Sequence, residues 1–248
     1  DFFFKDHWVP LPANAGVQPD YGAFGIIAGS LIVVGLAVLV ATPMSIGAAL
    51  FLEQTDPVIG DRLLRPAIEV FVGIPSVVYG WIGLTVLVPQ IRMHSSSPTG
   101  FTVLGAALVL SVMILPTVTS IAADAIRRVP GALAEASYAL GATRWQTIWK
   151  VILPASRSGI TSGIVLGVAR ALGEALAVAM VIGGVPHLPH DLFSPGATMT
   201  TVIALDLANG ALNPVLTNAL YMLGLVLLVM SLLSILVIRR FSRSLEVI

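Results

Sequence analysis

Arg170 and Glu174 are the residues best equipped for chemistry in this chain, two opposite charges inside an otherwise apolar stretch from Ser158 to Pro186. Spaced four apart, they are neighbours on one helix face. Gly159, Gly163 and Gly167 precede them at four-residue steps. At 100° per residue the five positions stay within a sector of roughly 80°. Small residues at this spacing let helices pack backbone to backbone, so the face is expected to meet protein or a cavity rather than lipid. An arginine in a hydrocarbon slab costs about 2.5–3.5 kcal/mol on insertion scales, and Glu174 offsets part of that. Two uses remain open on the residues alone. The pair locks helices together, or Arg170 meets an anion while Glu174 orients it or takes over as its counter-ion. The planar fork of arginine suits the oxygens of a tetrahedral oxyanion.

The elements that must position these groups are membrane helices. Charged residues are 10% of 248, hydrophobic residues 56%, and mean hydropathy is +0.95. Soluble domains carry about 25% charged residues, so lipid is the expected solvent and the bilayer a partner. Net charge is zero, and without a basic footprint no nucleic-acid partner is expected. Cysteine is absent, and no histidine sits in an H-E-x-x-H pattern. His187, His190 and Asp191 fall short of the ligand set zinc requires, so no metal is expected. A bilayer core needs about 20 apolar residues of helix. Five stretches qualify: Ala23–Leu52, Val70–Ile91, Phe101–Ala123, Ser158–Pro186 and Leu207–Ile238, the last with a turn up to Pro214. An all-α polytopic bundle is the expected fold.

Lysine and arginine orient such a bundle. If the five helices alternate, Arg62, Arg65, Arg127, Arg128, Arg144, Lys150, Arg157, Arg239, Arg240 and Arg243 share one side, against Lys5 and Arg92 on the other. That asymmetry predicts residues 1–22 as an external segment and 23–241 as the membrane domain. It also predicts a cytoplasmic loop over 127–157 and a cytoplasmic tail over 242–248. No apolar signal-peptide core is visible in residues 1–20, and residues are expected upstream of Asp1. On the outer side, Ala197–Ala208 can form a short helix near the mouth. Proline inside the apolar runs, at Pro43, Pro75 and Pro116, predicts kinks, and Ser76 beside one of them is a candidate hydroxyl contact for cargo.

The loop over 127–157 carries the most specific spacing. Pro130 suits a helix start and Gly141 the left-handed position past a helix end. Between them Leu133, Ala136, Ser137 and Leu140 share one face. Trp145, Trp149 and Lys150 follow in a second short helix suited to a membrane interface, and Leu153-Pro154 re-enters the apolar region. The pattern Glu135-Ala136-Ser137, then Gly141, nine residues, Val151-Ile152-Leu153-Pro154 resembles the signature of ABC-importer permeases. Ser137 and Val151 depart from it conservatively. The text Gly141-Ala-Thr-Arg-Trp-Gln-Thr-Ile148, Arg170-Ala-Leu-Gly-Glu174, Val181-Ile-Gly-Gly184 and Gly73-Ile-Pro-Ser-Val-Val-Tyr-Gly80 resembles the phosphate-importer permeases, their C-type subunit best.

The resemblance implies a type-I ABC importer permease fold with a sixth helix ahead of the five visible here, in a bacterial plasma membrane. It implies that Glu135, Ala136, Ser137, Leu140 and Gly141 belong to a coupling helix that docks on an ATP-binding subunit present in two copies. It also implies a second, homologous permease, an external binding protein that delivers inorganic phosphate, and a translocation role for Arg170 and Glu174. A P-loop needs G-x-x-x-x-G-K-[ST]. Neither lysine of this chain, Lys5 or Lys150, follows a glycine. ATP and magnesium are therefore expected on the partner, this chain is expected to bind no cofactor, and no catalytic residue is expected. A permease for sulfate or molybdate, or an ion-coupled secondary transporter, is the alternative.

Overall fold

Proline dictates much of the helix geometry. Its ring lacks an N–H and collides with the carbonyl four residues earlier. In the computed structural model, which describes residues 2–10, 20–54, 60–95, 97–210 and 213–245, this conflict is relieved three times in the same way. Wide i→i+5 turns span Gly60–Leu64, Gly83–Leu87 and Ile148–Ile152. Pro66, Pro89 and Pro154 each follow two residues beyond one of them. The Val88 N–H donates to the Gly83 carbonyl and the Leu153 N–H to the Ile148 carbonyl, the five-residue step that opens the helix locally. Pro43 and Pro116 instead sit inside uninterrupted helices.

The helices in chain order are α1 (Phe24–Gln54), α2 (Arg65–Gly73), α3 (Ser76–His94), α4 (Val103–Arg127), α5 (Gly131–Ala139), α6 (Arg144–Gly173), α7 (Leu176–Ile182), α8 (Met199–Gly210) and α9 (Pro214–Leu245). Four of them, α1, α4, α6 and most of α9, are long and apolar enough to cross a membrane, and the pair α2–α3, bent by 93°, makes a fifth if it is counted as one span. The five expected stretches are thus present, with two changes. The second is broken at Ile74–Pro75 rather than merely kinked. The fourth begins earlier, because α6 runs unbroken from Arg144 through Pro154, and it is interrupted after Gly173. The short outer helix expected over Ala197–Ala208 is α8. Within the expected tail, helix continues to Leu245, and residues 246–248 lie outside the described ones.

The chain forms two compact units. The first comprises Asp1–Ala37, Ile74–Ser111 and Arg170–Leu233. Its core gathers Ile26, Met199, Leu216 and Leu223 around Trp8, whose indole N–H donates to Asp206 Oδ2 at 3.0 Å. Trp8 belongs to a short strand, β1 (Trp8–Val9), paired antiparallel with β2 (Asp20–Tyr21). Asp6 accepts the Leu188 N–H at 2.9 Å, which ties the N-terminal segment to the loop after α7.

The second unit comprises Val38–Gly73, Val112–Ala169 and Ser234–Ile248. Its core joins Ala49, Leu52, Ala122, Ile126, Ile152 and Ile160. Here the glycine stripe of α6 lies on α4. A Cβ at Gly163 would stand 3.2 Å from Ile121 Cβ, one at Gly167 2.7 Å from Val118 Cγ2, and one at Gly159 would collide with the Ala125 methyl. The four-residue period therefore serves close antiparallel helix packing, as small-residue stripes do in lipid.

At one end of this unit the charges form a network. Glu53 Oε1 accepts from Arg65 at 2.6 Å and Glu53 Oε2 from Arg127 at 3.1 Å, while Arg65 also reaches Asp124 at 3.1 Å. Asp124 is therefore paired rather than merely solvated.

Candidate functional site: a broken helix and an exposed loop

A helix through residue 174 would hold Arg170 and Glu174 side by side, but α6 stops at Gly173. Residues 174 and 175 are non-helical, and α7 starts at Leu176. Arg170 lies in the last turn of α6, where the exposed carbonyls of a helix end favour a cation. Glu174 sits just before α7, and its Oε1 accepts the Ala177 N–H at 3.2 Å, where the free N–H groups of a helix start favour an anion. The expected i, i+4 arrangement on one helix is thus replaced. Each charge stands at the helix terminus of opposite partial sign.

The break is held from outside its own sequence. The Thr200 hydroxyl donates to the Glu174 carbonyl at 2.7 Å. Thr200 stands in the first turn of α8, whose start is fixed by Ser30 Oγ accepting the Met199 N–H at 2.8 Å and by Thr201 Oγ1 accepting the Thr198 N–H at 2.9 Å. A cavity of ≈ 10 Å³ lies between Ser30, Glu174, Thr198 and Thr200, the scale of one water molecule. The roles of the Ser30 and Thr200 hydroxyls escaped the sequence reading because their partners lie 169 and 26 residues away.

Ser76 is the first residue of α3, directly after the extended Pro75, and is half-buried. Helix α7 crosses the same end of α3 closely: a Cβ at Gly80 would stand 2.8 Å from Ala177 Cα. Buried Tyr79 stands beside Gly80 in that turn, a residue the sequence showed only as part of a run. Ser76, Tyr79, Arg170 and Glu174 all belong to the first unit.

The loop residues present the opposite picture. The C-terminus of α5 is closed by Gly141, at φ +83°. The Ala142 N–H donates to the Ser137 carbonyl at 3.2 Å and the Gly141 N–H to the Tyr138 carbonyl at 2.9 Å, the paired bonds of a left-handed helix stop. Pro130 occupies the cap position, one residue before the helix start expected for it. Thr143 and Gln146 cap the start of α6 reciprocally, and the Ser137 and Thr147 hydroxyls share a hydrogen bond of 2.9 Å. The backbone is therefore fixed by local chemistry, while the side chains point away from the core. Glu135 and Ala136 are exposed, Leu140 is 89% exposed and Trp145 66%.

Comparison with known proteins agrees with this geometry. Residues 41–247 match the family model described as binding-protein-dependent transport system inner membrane component. The chain is 49% identical to the probable ABC transporter permease protein YqgH of Bacillus subtilis, across 98% of this chain and 77% of that protein. It is 36% identical to the phosphate transport system permease protein PstC of Pasteurella multocida, across 91% of this chain and 74% of that one. Among solved structures, a chain of the inward-facing MetNI methionine ABC transporter superposes with a TM-score of 0.67 at 20% identity, covering 88% of this chain and 93% of its own. A chain of a bacterial ABC transporter for alginate import gives 0.65 at 20% identity, covering 91% and 80%. The fold is that of type-I ABC importer permeases, and the chain belongs to the family of inner-membrane components of binding-protein-dependent transport systems.

Proposed function

We propose that this chain is the C-type permease subunit of an ATP-driven importer of inorganic phosphate. The observation that carries the reading is the 36% identity to a phosphate permease over nine-tenths of the chain. Support comes from an arginine at a helix break inside a membrane domain, where a tetrahedral anion finds a planar set of donors. In this reading ATP and magnesium bind a separate subunit, present in two copies. A second, homologous permease completes the membrane pore, and an external binding protein delivers phosphate. The ten-to-two asymmetry of lysine and arginine along the sequence supports a cytoplasmic C-terminus and a cytoplasmic loop over 127–157, with the N-terminal segment outside.

Mechanically, the ATP-binding subunits close on α5 through Glu135, Ala136, Ser137, Leu140 and Gly141. Because α5 and the start of α6 are capped into one rigid piece, a push on α5 is carried into α6. Arg170 stands at the far end of α6, so that motion changes access to the guanidinium. Released phosphate passes Arg170, with Glu174 as the alternative charge partner once the anion leaves and Ser76 as a hydroxyl contact. The assembled transporter in proteoliposomes, fed labelled phosphate by its binding protein, tests the cargo. Uptake should survive excess sulfate and molybdate and fall with unlabelled phosphate; equal competition by sulfate or molybdate would assign another oxyanion.

A further inference from the structure

Besides the site already described, the second unit holds an open groove of ≈ 800 Å³. One wall is α1 from Pro43 to Gln54; the other is the first turns of α6, including Trp145 and Trp149. Among the described residues that line it, Arg144 alone is charged. It lies at the Gln54 end, where its guanidinium donates to the Gln54 carbonyl at 3.4 Å. The nearest acid along α1, Glu53, is engaged by Arg65 and Arg127. The wall is notched at Gly47, where a Cβ would meet nothing within 4 Å, and Phe51 beside it is 51% exposed.

We propose that this groove binds one acyl chain of an anionic phospholipid, with the headgroup phosphate at Arg144. Three observations select this occupant. The α1 wall, eleven steps of about 1.5 Å from Pro43 to Gln54, is about 17 Å long, close to the roughly 15 Å depth of one hydrocarbon leaflet. The polarity is graded, apolar toward Pro43 and cationic at the Gln54 end, as in a phospholipid laid along it. Trp145 and Trp149 stack edge to face at 5.6 Å beside the arginine, an aromatic pair of the kind found at headgroup level. A soluble peptide has no reason to match a leaflet depth. The lipid holds the first turns of α6 against α1, so it stiffens the coupling loop independently of which anion is carried.

The test uses the assembled transporter in nanodiscs of equimolar phosphatidylglycerol and phosphatidylcholine. Lipids that survive detergent washing are counted by native mass spectrometry. The wild type should retain phosphatidylglycerol selectively. Arg144→Gln, an exposed change, should lower that selectivity roughly fivefold, the value of one basic contact near a membrane surface. Gly47→Trp, which fills the notch and leaves the charge, should remove the retained lipid of both kinds. Retention without headgroup preference, retention unchanged in both variants, or a protein partner cross-linking into the groove through Phe51 would each overturn the proposal.

Discussion

The break at Glu174 and the loop over α5 are both interruptions of helix, yet they are completed differently. At the break, hydrogen bonds from within the chain hold the backbone. Glu174 caps α7, Thr200 holds the Glu174 carbonyl, and Ser30 holds the start of α8. In the loop the backbone is equally finished, by Gly141, Thr143, Gln146 and the Ser137–Thr147 bond, but the apolar side chains are left outside. Burying one leucine contributes about 1.5–3 kcal/mol, and Leu140 at 89% exposure forgoes most of it. The contrast teaches that rigidity and burial can be separated. The break is a joint held by its own chain, whereas the loop is a preshaped surface left open, which the proposed ATP-binding subunit would cover.

Substitutions in each region test that division. The largest effect is expected at the joint: Arg170→Gln should lower phosphate uptake by the assembled transporter roughly hundredfold, as losing a donor aimed at developing or bound negative charge does elsewhere. Subunit stoichiometry should not change; normal uptake would remove Arg170 from the pathway. In the loop, Leu140→Asp should weaken association with the ATP-binding subunits by about 2 kcal/mol, or roughly thirtyfold in Kd. Titration of solubilised permease with that subunit measures this, and unchanged affinity would mean the surface is not the docking site. Gly141→Ala, forced to φ +83°, should cost about 1–2 kcal/mol. That loss should appear as faster proteolysis between α5 and α6, with the midpoint of global unfolding little moved. Smallest, Thr200→Val removes one hydrogen bond to the Glu174 carbonyl, about 1 kcal/mol. It should lower the thermal midpoint by roughly 2–4 °C for a chain of this size.

The same division explains what the sequence could reveal. The loop was legible at Gly141 because such a stop is local, its bonds closing over three and five residues; the Thr143–Gln146 box, equally local, went unread. The spans were legible because lipid demands long apolar runs. The break at Glu174 was not. Periodicity assumes that a helix continues, and only Gly173 hints otherwise, while the hydroxyl that holds the break comes from Thr200, 26 residues on. The Glu53 hub was invisible for the same reason, since its partners lie 12 and 74 residues away. The prolines fall between these cases. Kinks were expected at Pro43, Pro75 and Pro116, yet Pro43 and Pro116 sit inside uninterrupted helices, Pro75 lies in a full break, and the wide turns precede Pro66, Pro89 and Pro154.

The central claim is that this chain is a gate without a motor, moved by force delivered to α5. Proteoliposomes containing the two permeases alone, and others containing the complete transporter with its binding protein and internal ATP, measure it directly. Concentrative uptake of labelled phosphate should appear only in the second set and vanish there when ATP is omitted. Accumulation against a gradient in the first set, driven by a proton or sodium gradient or by nothing added, would contradict the account.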